Sequence, residues 1–213
     1  MKITHIGHSC FKIEFDGGKV LVTDPYDPSV GYPMPKIRAD IATLSHGHYD
    51  HNYTAALSGN VKIFGSQCDT VADGISLRTV LSFHDNGQGR LRGKNLIFVI
   101  KAEGLTLCHL GDLGEDLNPA IIREIGKADI LFIPVGGTYT LDYAQAAEYA
   151  DAINPAVVIP MHYKESGCCL DIDGLDKFLE RYRRFGEYGE ININANNLNE
   201  FTKVVVLKRR ENV

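Results

Sequence analysis

The chain has 213 residues, 44% of them hydrophobic and 23% charged, which sets the scale at one globular domain spanning 1–213 with a real core. Its formal net charge of −5 argues against a nucleic-acid partner, which calls for a basic face. No apolar stretch nears the roughly 20 residues that cross a bilayer, and Met1-Lys2-Ile3-Thr4-His5 opens in a strand-like pattern with no signal-peptide apolar region, so the expectation is a cytoplasmic protein with no membrane span.

Short Val-, Ile-, Leu- and Phe-rich segments bounded by Gly, Pro, Asp or Asn read as strands at 2–6, 11–15, 19–24, 40–45, 61–65, 76–83, 95–102, 105–109, 129–134, 156–160 and 202–207. Asp16-Gly17-Gly18 and Glu103-Gly104 read as hairpin turns. Helical spacing appears over Asn118–Lys127, Leu141–Ile153 and Gly174–Phe185, with a shorter helix through Tyr53–Leu57. A block of strands followed by strands alternating with helices predicts two packed sheets flanked by helices, a layered α/β sandwich. The five cysteines, Cys10, Cys68, Cys108, Cys168 and Cys169, form no C-x-x-C pair and read as free thiols. The adjacent Cys168-Cys169 pair is also a weak oxidation-sensitive candidate.

The chemistry concentrates in Ser45-His46-Gly47-His48-Tyr49-Asp50-His51, an H-x-H-x-D-H run directly after the apolar segment Ile41–Leu44. Imidazole and carboxylate bind borderline divalent metals, and the end of a strand is where a layered α/β protein places its site. The alternative is a polar surface loop. Other strands also end on His or Asp: Asp24, His84, His109 with Asp112, and His162. His46 and His48, two apart on extended chain, point the same way and with His84 suit one ion. Asp50, His51 and His162 suit a second, Asp112 bridges them, and a hydroxide between the ions completes the expected site. The donor set suits Zn first and also Mn, Fe, Co or Ni.

This order of ligands resembles the metal motifs of the metallo-β-lactamase superfamily. Ile6-Gly7-His8-Ser9, Thr23-Asp24-Pro25, His109-Leu110-Gly111-Asp112 and Ile159-Pro160-Met161-His162-Tyr163 are similar to one branch. That branch holds ascorbate-6-phosphate lactonase-like predicted zinc-dependent hydrolases and the N-acyl-phosphatidylethanolamine phospholipase D. The resemblance runs from residue 3 to about 164. It implies a four-layer αββα sandwich with the metals at one edge, and an Asp24 that braces the ligand loop. The chain departs from glyoxalase II-like members at Ser82-Phe83-His84-Asp85-Asn86, and it has no room for the added domains of nuclease or flavodiiron members.

The reaction expected is hydrolysis of a small ester, lactone or phosphorylated substrate. Asp50 orients the attacking oxygen and takes its proton. His109 is a proton donor to the leaving group, a brace, or a plain core histidine. Asp112 has helix capping as its rival role, and Asp24 a strand-end turn. His8 either reaches the site or closes a turn. Arg92, in Arg90-Leu91-Arg92-Gly93-Lys94, either grips an anion or sits on a solvated hairpin tip, and Tyr139 and Tyr163 either line a pocket or pack at its rim. A phosphodiesterase or nuclease and an iron-dependent oxidoreductase stay as alternatives on the same ligand set, and assembly into a homo-oligomer stays open.

Overall fold

A computed structural model describes residues 1–210. Its strands and helices, in chain order, are β1 (Lys2–Gly7), β2 (Cys10–Glu14), β3 (Val20–Thr23), β4 (Ile37–Arg38), β5 (Ile41–Thr43), β6 (Leu57–Ser58), β7 (Lys62–Phe64), β8 (Asp69–Ala72), β9 (Ile75–Phe83), β10 (Lys94–Ala102), β11 (Leu105–His109), α1 (Pro119–Ile125), β12 (Ile130–Pro134), α2 (Tyr143–Ile153), β13 (Val157–Met161), α3 (Asp176–Leu179), β14 (Phe185–Tyr188), β15 (Glu190–Asn192) and β16 (Val204–Leu207). Among the described residues one sheet runs β15-β1-β2-β3-β5-β7 and a larger one β14-β16-β13-β12-β11-β10-β9-β8, with β4 and β6 as a separate small pair. Both large sheets are mixed: β1, β2 and β3 pair antiparallel while β3, β5 and β7 pair parallel. Likewise β9, β10 and β11 are antiparallel, and β11, β12 and β13 parallel.

Period-two burial explains the packing. Phe11, Ile13, Leu21 and Ile41 from the first sheet meet Leu77, Phe98, Leu107 and Ile159 from the second in one apolar layer between the sheets. The other face of the second sheet, through Val99, Leu131 and Val158, is covered by Ile121 and Ile125 of α1 and Ala146, Tyr149 and Ala150 of α2. The outer face of the first sheet is covered by Tyr26, Val30, Tyr32 and Ile37, carried on loops, one short 3₁₀ turn and β4. The result is the αββα sandwich, its outer layer over the first sheet reduced to irregular chain. Helix α2 starts on a reciprocal capping box, in which the Asp142 carboxylate accepts from Ala144 N and Gln145 N while the Gln145 side chain accepts from Asp142 N.

The expected long helix at 174–185 is a correction. Only Asp176–Leu179 is helical, and the chain then enters the second sheet as β14, parallel to β16. One helical turn suffices to bury Phe178, and the chain beyond it pairs with β16 as the edge strand of the second sheet. The short helix expected near 53–57 is a 3₁₀ turn at Thr54–Ala56.

At one rim the two hairpin turns, one from each sheet, touch. Asp16 N donates to Glu103 Oε1 at 2.6 Å, and the Met1 ammonium lies 2.9 Å from Glu103 Oε2. Strands β1, β3, β5, β9, β11 and β13 all run toward the opposite rim, so the residues after their C-terminal ends gather there.

Candidate metal centre

Strand ends deliver the site. His8 follows β1, Asp24 follows β3, the 46–51 run follows β5, His84 follows β9, Asp112 follows β11 and His162 follows β13. Three of these turn their backbone into the left-handed region, His8 at φ 55°, Asp24 at φ 36° and His162 at φ 52°. Non-glycine residues rarely adopt that region, and its cost is tolerated where a side chain must be aimed.

The rings and carboxylates form adjoining groups whose ligand atoms all lie within 4.8 Å of one another: His46, His48 and His84; His8, Asp50, His51 and His162; and His46, His51 and Asp112. Asp112 stands between the first two. Its Oδ2 lies 3.0 Å from His84 Nε2 and 3.3 Å from His162 Nε2, and its Oδ1 lies 3.1 Å from His51 Nε2. These distances bring the expected ligand residues together around Asp112, with His8 beside Asp50, His51 and His162. His8 Nε2 is 3.2 Å from Asp50 Oδ2.

Several buried polar atoms here make no hydrogen bond of good geometry: His51 Nε2 and Asp112 Oδ1, though 3.1 Å apart, His162 Nε2, though 3.3 Å from Asp112 Oδ2, and the Nδ1 atoms of His84 and His162. Each such atom costs about 1–3 kcal/mol if nothing binds it. Imidazoles and carboxylates that converge yet leave inward atoms unsatisfied fit divalent cations among them. The charges differ from group to group. Burial, then the neighbouring His51, pulls His46 down to about 3. Burial and then His162 pull His8 down to about 4, so both rings are neutral donors at pH 7. Burial raises Asp112, but His162 and His51 outweigh it and hold the carboxylate well below its ordinary range. At His51 burial lowers and Asp112 and Asp50 raise, and the raising wins.

Behind these groups lies a polar scaffold. Asp24 accepts from Ser45 N at 2.7 Å, from Ser45 Oγ at 2.6 Å and from His51 Nδ1 at 2.9 Å. On the other sheet, buried Asn95 accepts from Asp112 N at 2.9 Å and donates to Ser82 Oγ and Leu110 O, each at 2.8 Å. Leu96 N donates to Ser45 O at 2.8 Å, tying the two sheets together beneath the site. Gly111 has φ 56°, and a Cβ there would sit 2.4 Å from Asn95 Oδ1. Sequence reasoning missed Asn95 and gave Gly111 no role beyond its place in the motif His109–Asp112. The available signal was a polar amide inside the otherwise apolar run 95–100.

Two positions with more than one expected role, His109 and Tyr163, do not line the cleft. His109 is buried, its Nε2 donating to Ser9 O at 2.9 Å and its Nδ1 accepting from Gly111 N at 3.2 Å, so no ring nitrogen is left for a leaving group. Tyr163 packs in the core between the second sheet and its helices. A cleft of about 540 Å³ opens over His48, Asp50, His84 and Asp112, and Arg92 and Tyr139 line its wall.

A model of the β-lactamase superfamily domain matches residues 2–162. A metal-dependent hydrolase from Methanospirillum hungatei is 32% identical, over 76% of this chain and 83% of its own. Another from Carboxydothermus hydrogenoformans is also 32% identical, over 76% of this chain and 84% of its own. A solved Thermotoga maritima structure, assigned to the Zn-dependent hydrolases of the metallo-β-lactamase superfamily, superposes with a TM-score of 0.82 at 37% identity, covering 98% of this chain and 99% of that one. The chain therefore belongs to the metallo-β-lactamase superfamily, among its metal-dependent hydrolases.

Proposed function

We propose that this chain is a dinuclear hydrolase of a small ester, lactone or phosphorylated compound. The observation that carries the reading is Asp112, whose carboxylate touches rings of both histidine groups. His46, His48 and His84 would hold one ion and Asp50, His51 and His162 the other, with zinc the first choice for this donor set. Ions held there would polarise the scissile carbonyl or phosphoryl oxygen and bring the pKa of water toward neutrality.

The protein's own groups supply the rest. Burial raises the Asp50 carboxyl, but His51 and the hydrogen bond from His8 outweigh it, so it is ionised. It also faces the cleft, placed to accept the proton of attacking water. His8 holds that carboxylate in orientation. Asp24 fixes His51 through its Nδ1, leaving Nε2 toward the cluster. His109 serves as a strut between Ser9 and Gly111, a positioning role. All five cysteines are free, which supports a reducing, cytoplasmic setting. No helix among the described residues is long and apolar enough to cross a membrane.

Metal analysis of the purified protein combined with a panel of lactones, carboxylic esters, phosphoesters and thioesters tests the reading. About two colourless divalent ions per chain with ester or lactone cleavage supports it. Iron with oxygen uptake, or cleavage confined to bis-p-nitrophenyl phosphate, replaces it with the oxidoreductase or phosphodiesterase alternative.

A further inference from the structure

The cleft wall carries a cation with no acid to neutralise it. Arg92 is half-buried, its guanidinium 5.6 Å from the centre of the Tyr139 ring. Among the described residues no carboxylate forms an ion pair with it. The other cations of the same loop turn elsewhere. Arg90 donates through Nε to Gly87 O within the loop, and exposed Lys94 lies outside this cleft.

The loop is built to hold Arg92 in place. Asp85, directly after His84, is 4% exposed. Its Oδ1 accepts from Gly87 N at 2.7 Å and Gly89 N at 3.1 Å, and its Oδ2 accepts from Leu91 N at 3.0 Å and Arg92 N at 2.9 Å. His84 N in turn donates to Gly93 O at 3.1 Å. The backbone on either side of Arg92 is thus tied to His84 and its neighbour. A solvated hairpin tip needs no such anchoring. Tyr49, Tyr139 and Leu170 also line the cleft and offer apolar surface for a short carbon skeleton.

A planar guanidinium lying 5.6 Å over an aromatic ring and paired with no carboxylate matches the two oxygens of a carboxylate or phosphate. The cluster on the cleft floor takes the reacting bond. Arg92 stands on the wall, where it meets a different part of the same molecule. We infer that Arg92 is the specificity-determining residue of this cleft and that the substrate carries a second anionic group, a carboxylate or phosphate, remote from the bond that is cut. This rests on the hydrolase reading for the cleaved bond, but the anion site itself can be tested without turnover.

The experiment uses the metal-loaded full chain with p-nitrophenyl butyrate, mono-p-nitrophenyl glutarate and p-nitrophenyl phosphonobutyrate, in the native protein and in R92Q and R92K. One of the anionic esters is expected to exceed the neutral one in kcat/KM by about 10- to 100-fold, the range of a hydrogen-bonded charge. R92Q collapses that ratio, mostly through KM, and R92K restores part of it. The glutarate and phosphonate arms tell carboxylate from phosphate. Calorimetric titration of the metal-free protein with glutarate and with phosphonobutyrate gives the second readout, with binding at least about 10-fold weaker in R92Q. Cleavage with equal preference in native and R92Q protein overturns the anion site and leaves the hydrolase reading standing. Arg92-dependent binding with no ester cleaved leaves the anion site standing and removes carboxylic esters from the hydrolase reading.

Discussion

His51 Nδ1 donates to Asp24 Oδ2 at 2.9 Å, so a carboxylate at the end of β3 decides which nitrogen of His51 faces Asp112. Burial raises Asp24, but the hydrogen bond and charge of His51 outweigh it and keep the carboxyl ionised. The pair links two strand ends of the same sheet to one ring of the cluster.

Asp24→Asn therefore weakens the site without touching a proposed ligand. Metal affinity is expected to fall about 10- to 100-fold, measured by competition with a chromophoric chelator. Loss of hydrogen bonds to a buried charge also costs on the order of 1.5–3 kcal/mol in denaturant unfolding. Unchanged affinity would remove the bracing role.

His48 is exposed, unlike His51 or His84. His48→Ala should lower turnover by at least about 100-fold, since the charge stabilisation at stake is several kcal/mol. The metal-free protein should keep its stability to within about 0.5 kcal/mol, as at other surface positions. Full turnover in this variant would refute the proposed ligand set.

Asn95→Ala tests the scaffold on the other sheet. It removes the acceptor of Asp112 N and the donor to Ser82 Oγ and Leu110 O, all buried. A loss of about 3 kcal/mol is expected from the groups left unsatisfied, together with reduced metal content as Asp112 loosens. A variant as stable as the native chain would show that Asp112 is held by other means.

The chelator-stripped protein should be most stable near pH 6.5. His8 and His46 have folded pKa values of about 4 and about 3, below the unfolded value of 6.5. Between those limits the unfolded chain binds more protons, so stability falls as pH drops. His51 is raised, so its contribution is present below pH 6.5 and is lost as pH rises above it. Urea unfolding at pH 4.5 should show a loss on the order of 4 kcal/mol relative to pH 6.5, about half from each ring. A flat profile across this range would contradict the buried, neutral state of His8 and His46.

Much of the site was legible because ligand chemistry is local in sequence. The 46–51 run crowds three imidazoles and a carboxylate at a strand end, and His84, Asp112 and His162 each follow an apolar run. The hairpins were legible because Glu103 and Gly104, at φ 53° and 75°, meet the positive-φ demand of a tight turn. What stayed hidden depends on distant partners. Strand β8 is exposed at three of its four positions and shows no alternation, and it exists through pairing with β9. Strand β15 pairs with β1 from the far end of the chain. The helical spacing of Leu175, Phe178 and Leu179 was real but ended after one turn, because the chain beyond it could join β16. His109 was ambiguous because nothing in its neighbours reveals Ser9 O, 100 positions away.

The seven proposed ligands are shared between the sheets. His46, His48, Asp50 and His51 hang from β5, and His84, Asp112 and His162 from β9, β11 and β13. At the far rim the turns at Asp16 and Glu103 are already stitched shut. The sandwich is therefore a book with a sewn spine, and a cation at the fore-edge is its clasp. Chelation should let the covers part at the ligand end alone, so that hydrogen exchange quickens around Ser45 and Leu96 while the amides flanking Asp16 and Glu103 keep their protection.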